Sequence, residues 1–371
     1  MGRYARPMEE QNQGPSAVHE VFVPVAGPPE GDDTARRARR GLMAWLVLLL
    51  FGGLGGLLLD QPEASGLVAL AGLFAAAQAA DLDPLWRQAW EILAFVPPVG
   101  GVLFFAYLAT LLLHGGLAPA QRVAGVGIAS VGALVLGLTA IPTFADRLAR
   151  RLFGGATSYT LRFGGQLAAA GVLLAVPAWF AFDAFKETLL QNPEPLLAKA
   201  KLSGALIGYL LLALGGVGCW VRRDPRQTLD RLGIKPVTLR HAGVILAGAL
   251  ALFLLNAGAE TVQHRFFPGL WKLDHEVTRL LARAMTPGRV VLLGLRAGVG
   301  EEVTLRGGLQ PRLGVLLTSL LFAALHVQYS WFGMALVFAL GLALGLIRKH
   351  ASTTAAIIVH GLYDMLAVFS S

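Results

Sequence analysis

The sequence predicts an all-α fold, a polytopic bundle of about eleven transmembrane helices, and three observations carry that expectation. Hydrophobic residues make up 55% of the 371-residue chain and charged residues only 15%, at a mean hydropathy of +0.60, a balance that soluble domains do not show. The apolar residues fall in runs of about 20, the number that crosses a bilayer at ~1.5 Å rise per residue. Arginines gather in short segments between those runs, where positive charge marks the cytosolic side of a membrane.

Residues 1–40 are polar, contain Pro and Gly, and end in Arg36-Arg37-Ala38-Arg39-Arg40, the composition of a disordered cytosolic tail. The apolar run that follows starts too late and is too long for a cleaved signal peptide, so it is read as the first span. Crossings are expected near 41–59, 92–113, 123–141, 165–184, 202–220, 242–258, 290–306, 313–329, 331–347 and 352–369. The stretch 65–80 carries Gln78 and suits either a crossing or an interfacial helix. Loop charge decides. Counting 65–80 as a crossing and placing the tail inside brings three basic loops inside: Arg147/Arg150/Arg151/Arg162, Arg222/Arg223/Arg226/Arg231/Lys235/Arg240, and Arg348/Lys349. Omitting it sends all three outside. The expected protein is therefore integral to a bacterial inner membrane, with its N-terminus cytosolic and its C-terminus outside.

The basic loop 221–241 divides an accessory region of six spans, 41–220, from a membrane core, 242–371. Glycines such as Gly52, Gly53, Gly55, Gly56, Gly125, Gly127 and Gly132 in the first part are expected to let helices pack closely. Pro97-Pro98 should kink or break the helix around it. Gly125-Val126-Gly127 lacks the preceding strand and third glycine of a nucleotide-binding turn. The formal charge of +8 belongs to loops that face lipid phosphates, so no nucleic acid is expected. The one cysteine, Cys219, excludes a disulfide framework and a thiolate metal site and is read as packing.

Three polar sites interrupt the apolar core, and ionisable groups at membrane depth cost several kcal/mol unless paired or hydrated. The first is Gly298-Val299-Gly300-Glu301-Glu302-Val303-Thr304-Leu305-Arg306. On an α-helix Glu302 and Arg306 face each other as an ion pair, while Glu301 points ~100° away without a helical partner, suited to activating water. The second is Phe322-Ala-Ala-Leu-His326, where the phenyl ring can pack under the imidazole. The third, His360-Gly-Leu-Tyr-Asp364, has a spacing compatible with metal ligation, an oriented His–carboxylate pair, or mutual satisfaction. Counting from the inner loops puts Glu301, His360 and Asp364 at a depth of roughly 10–20 Å, with His326 deeper. His275-Glu276-Val277-Thr278-Arg279 lacks the second histidine of a zinc-protease helix and is placed in an outer polar loop with His264.

In these residues the chain resembles the intramembrane CAAX-protease and bacteriocin-processing family, relatives of the eukaryotic prenyl-protein endopeptidase, over about 242–371. The resemblance rests on Glu-Glu-x-x-x-Arg at 301–306 running on to Gly307 and Leu309-Gln310, Phe-x-x-x-His at 322–326 and His-x-x-x-Asp at 360–364. It implies that Glu301 and His326 activate the attacking water, that His360 and residue 364 hold the scissile carbonyl or its oxyanion, and that Glu302 and Arg306 support the site. The family usually has asparagine where this chain has Asp364, and often an aromatic where it has Leu305. An ionised carboxylate would repel an oxyanion, so Asp364 is expected to be protonated, to orient His360 and favour its cationic form, or to bind a metal, with the His360 pair favoured. The implied mechanism needs no cofactor, although two histidines with acids can also hold zinc. The expected partner is a membrane-tethered peptide or protein substrate, and the sequence leaves oligomeric state open. The rival readings are a non-catalytic scaffold or bacteriocin-immunity-type protein, and a transporter, against which stands the absence of a second Gly/Pro-broken span in the other half.

Overall fold

The computed structural model describes residues 32–114, 117–191, 199–283 and 285–369. Most of the expected tail, 1–31, lies outside the described residues. Among these residues every regular element is helical, as the composition predicts. The chain is an integral membrane protein: six described helices are long and apolar enough to cross a bilayer, and two further apolar helices, Leu202–Val217 and Thr353–Phe369, are shorter.

Helix α1, Asp32–Leu48, continues through a π-wound turn, Leu49–Gly53, into α2, Leu54–Leu58. The ambiguous stretch 65–80 is α3, Pro62–Leu82, long enough to span and started by a proline at N1. Helices α4, Pro84–Leu93, and α5, Val96–His114, part just before Pro97-Pro98, so the prolines open α5, where they need no N–H donor, and do not kink a continuous span. Next come α6, Pro119–Leu138, and the amphipathic α7, Pro142–Phe153, which the apolar runs did not reveal. Then follow α8, Tyr159–Gln191, α9, Lys199–Val217, and α10, Pro225–Leu232, a short capped helix inside the basic loop. The expected outer polar loop is instead the amphipathic α12, Pro268–Arg283, after the long α11, Leu239–Phe266. There His264 and His275 flank the Trp271 indole. The glycine expectation holds in part. Gly132 abuts Phe105 and Gly56 abuts Ser65, whereas Gly53, Gly55 and Gly127 face open space.

One end of the bundle collects the arginines. Arg39, midway along α1, pairs with Asp83 just after α3, and Arg222 after α9 bonds Asp81 at 2.7 Å. Asp81 also accepts from Tyr159 N at 2.7 Å and Thr160 Oγ1 at 2.6 Å. Leu232 O accepts from Thr353 Oγ1 at 2.7 Å, which brings the start of α16, Thr353–Phe369, to the same end. Thus α1, the end of α3, the start of α8, the segment after α9 and the start of α16 gather at one end of the bundle. The Arg39 hydrogen bond holds the Asp83 carboxyl below the ordinary carboxylate range, against its burial.

Candidate active site

The segment carrying the two acids is not an ordinary α-helix. After α13, Pro287–Leu295, the chain winds as π-helix over Arg296–Glu301 and again over Val303–Leu309, then enters α14, Gln310–Ala324. Wide turns of this kind are rare and cluster at functional sites. They change which residues share a face. Arg296 and Glu301, five apart, come together at 3.3 Å from Nη1 to Oε1. Glu301 therefore has the partner that α-helical spacing denies it, and Arg296 is the residue the sequence reasoning missed.

Glu302 and Arg306 do pair, at 3.4 Å with both side chains fully buried. Arg306 also donates to Gly341 O at 3.3 Å and lies 4.8 Å from the centre of the Phe322 ring. Glu302 has a second partner that its helix spacing could not foretell: its Oε1 is 3.0 Å from His360 Nδ1. The carboxylate that orients His360 is thus Glu302, while Asp364 stands 3.7 Å from Nε2 on the far side of the ring. The expected His360–Asp364 pair is present, and the cross-helix contact with Glu302 is the shorter of the two.

Backbone contact makes that cross-helix bond possible. A Cβ at Gly298 would lie 2.6 Å from Ile357 O and 3.0 Å from Gly361 Cα, and one at Gly361 would lie 2.9 Å from Gly294 O. Only glycine at these positions lets α16 approach closely enough to set His360 on Glu302.

His326 is not in a helix interior. Helix α14 breaks at Gly314, at φ 74°, and its C-cap is Leu325, so His326 sits in the turn leading to α15, Trp331–His350. The break interrupts the regular part of α14, and the helix ends at Ala324, before His326. The Phe322 ring lies 4.7 Å from the His326 ring and 5.6 Å from the His360 ring, so one phenyl group touches both imidazoles. Glu301, His360 and Arg296 are all within Coulombic reach of His326. His326 Nδ1 is 2.8 Å from Phe322 O. A carbonyl only accepts, so Nδ1 carries the proton and Nε2 of the neutral ring offers a lone pair.

The turn carrying His326 is fastened from α12. Asp274, buried, accepts from Ser330 N and Ser330 Oγ, each at 2.6 Å, and from Gln263 Nε2 at 2.6 Å. Tyr329 stacks on His326 at 6.5 Å. Among the described residues no three His, Cys, Asp or Glu side chains converge as a metal-ligand set.

Residues 283–366 match the family model of the type II CAAX prenyl endopeptidase Rce1-like proteins. This part of the chain is similar to the Rce1-like family. A curated relative, the uncharacterized protein YpbD of Bacillus subtilis (strain 168), is 26% identical over 142 residues, which cover 38% of this chain and 72% of the relative. No solved structure matches. At the level of the family, the Rce1-like segment supports a peptidase of the CAAX-protease type acting on membrane-associated protein substrates. It contains Glu301, Glu302, Arg306, Phe322, His326, His360 and Asp364, together with Arg296.

Proposed function

We propose that this protein is an intramembrane endopeptidase that hydrolyses peptide bonds of membrane-associated substrates with a water activated by Glu301 and His326. The observation that carries the reading is the meeting of the three motifs from separate elements: Glu302 bonds His360 at 3.0 Å, and Phe322 touches the rings of both histidines.

In this scheme a water donates one hydrogen to the Glu301 carboxylate and the other to His326 Nε2, leaving an oxygen lone pair for the scissile carbonyl carbon. Glu301 takes the water proton as the new C–O bond forms. The oxyanion is met by the Nε2–H of a protonated His360, whose Nδ1–H is anchored on Glu302. When the C–N bond breaks, Glu301 returns its proton to the leaving amine. Glu302 and Arg306 serve as a buried brace, and Asp364 biases the Nε2 side of His360. The scheme uses no metal. The arginine-rich end faces the cytosol, and the membrane is a bacterial inner membrane.

The test is purification in detergent followed by profiling of membrane-peptide cleavage by wild type and Glu301→Ala. Cleavage lost in the variant at unchanged protein accumulation supports the reading. Identical fragments from both proteins overturn it in favour of a scaffold.

A further inference from the structure

The Rce1-like match stops short of the N-terminal membrane region, yet two residues of that region reach the candidate site. Glu63, in the first turn of α3, accepts from Arg296 Nη2 at 3.0 Å, while the other nitrogen of the same guanidinium faces Glu301 at 3.3 Å. The guanidinium carbon lies 5.6 Å from the centre of the Tyr209 ring on α9. Tyr209 is itself keyed into the π-wound segment. Thr304 Oγ1 donates to Tyr209 O at 3.0 Å, and a Cβ at Gly300 would lie 3.1 Å from Tyr209 Cβ. Arg296 is thus held by α3 on one side, α9 beneath and Glu301 on the other.

We propose that the N-terminal membrane region is part of the peptidase site: Glu63 and Tyr209 are positioning residues that hold Arg296, and Arg296 fixes the Glu301 carboxylate. This rests on the assignment of Glu301 as the base. An arginine with a flexible stem holds a defined place only when its planar fork is occupied on more than one side. Glu301 alone gives it one contact; Glu63 and Tyr209 supply the others. The remaining charged groups around Glu301 are Glu302 on its own segment, His326 after α14, and His360 and Asp364 on α16. None of these comes from α3 or α9, so the N-terminal contribution is separable by mutation.

The experiment compares Glu63→Gln, Glu63→Asp, Tyr209→Ala, Tyr209→Phe and Arg296→Met in the full-length protein, using a peptide that wild type cleaves. Displacing a reacting group by about 1 Å costs up to ~100-fold in rate. The expected result is a kcat loss of about 100-fold for Arg296→Met and about tenfold for Glu63→Gln and Tyr209→Ala, with KM within about twofold. Glu63→Asp and Tyr209→Phe should restore most of kcat. Wild-type kcat in folded Glu63→Gln and Arg296→Met, or losses confined to KM, overturns the proposal. An infrared readout is independent of turnover. The Glu301 carboxylate band, isolated as the difference between wild type and Glu301→Gln, should move in Glu63→Gln and Arg296→Met. An unmoved band overturns the positioning role. If wild type cleaves nothing, the peptidase assignment fails while the band still decides whether these residues hold Glu301.

Discussion

Two sets of acid–arginine contacts lie in this molecule, one at the arginine-rich end and one in the Rce1-like segment, and they are built differently. At the end, Asp81 takes bonds from Arg222, Tyr159 N and Thr160, and Asp83 takes Arg39 and caps Leu85 N. Those carboxylates are saturated and tie four segments together. In the segment, Glu302 is fully buried, with Oε1 on His360 Nδ1 and Oε2 in an ion pair 3.4 Å from Arg306 Nε that is not a hydrogen bond, while among the described residues Glu301, slightly exposed, has Arg296 alone as its hydrogen-bond partner. A carboxylate sealed between a buried arginine and a histidine holds a fold; one at the edge of the site with a single guanidinium partner can take a proton.

Neutralising Glu301 should have the largest effect on rate. Glu301→Gln is expected to lower kcat by about 100-fold or more, the usual size of a general-base contribution, with no loss of thermal stability in detergent. Unchanged turnover would erase the difference between the two acids. Glu302→Gln should lower both stability and kcat, because it leaves the Arg306 charge buried without its counter-ion and weakens the hold on His360; breaking such a pair costs on the order of 3–5 kcal/mol, read as lower protein yield and a lower Tm. Gly298→Ala should cost about 1–3 kcal/mol and lower kcat as well, since its methyl group would push α16 and His360 off Glu302.

At the arginine-rich end the effects should be smaller and confined to stability. Asp83→Ala removes an ion pair and the cap of α4, worth about 1–2 kcal/mol, and kcat should stay at the wild-type value. Because the folded Asp83 carboxyl lies below its unfolded value, its contribution is present above pH ~4 and fades as pH falls through the folded value. Wild type should therefore lose stability on acidification more steeply than Asp83→Asn, as thermal melts between about pH 3 and 6 will report. The smallest effect is expected from a chelator: cleavage should survive it, and abolition reversed by added zinc would assign the water to a metal instead.

Much of the architecture was legible. The apolar runs marked the long apolar helices but not the amphipathic α7 and α12, and the stretch with Gln78 is a helix of spanning length whose Gln78 donates to Gly215 O at 2.7 Å inside the bundle. Glu302 and Arg306 could be paired because both lie within one turn. Arg296 could not be paired with Glu301, since α-helical spacing separates residues that a π-turn brings together. Asp274 lies beside His275 in a stretch that resembled a polar loop, and only its contacts with Ser330 give it a place next to the site.

Local chemistry along the chain was enough to determine a helical membrane protein, the places of its long apolar helices and the three motifs that carry its family resemblance. The tertiary structure alone decided that Glu302 rather than Asp364 grips His360 Nδ1, that Arg296 joins Glu301 to Glu63, and that α9 supports both. The reason is physical. Spacing fixes neighbours only within a turn of known pitch, whereas these contacts depend on a change of pitch and on glycines that let separate helices meet backbone to backbone.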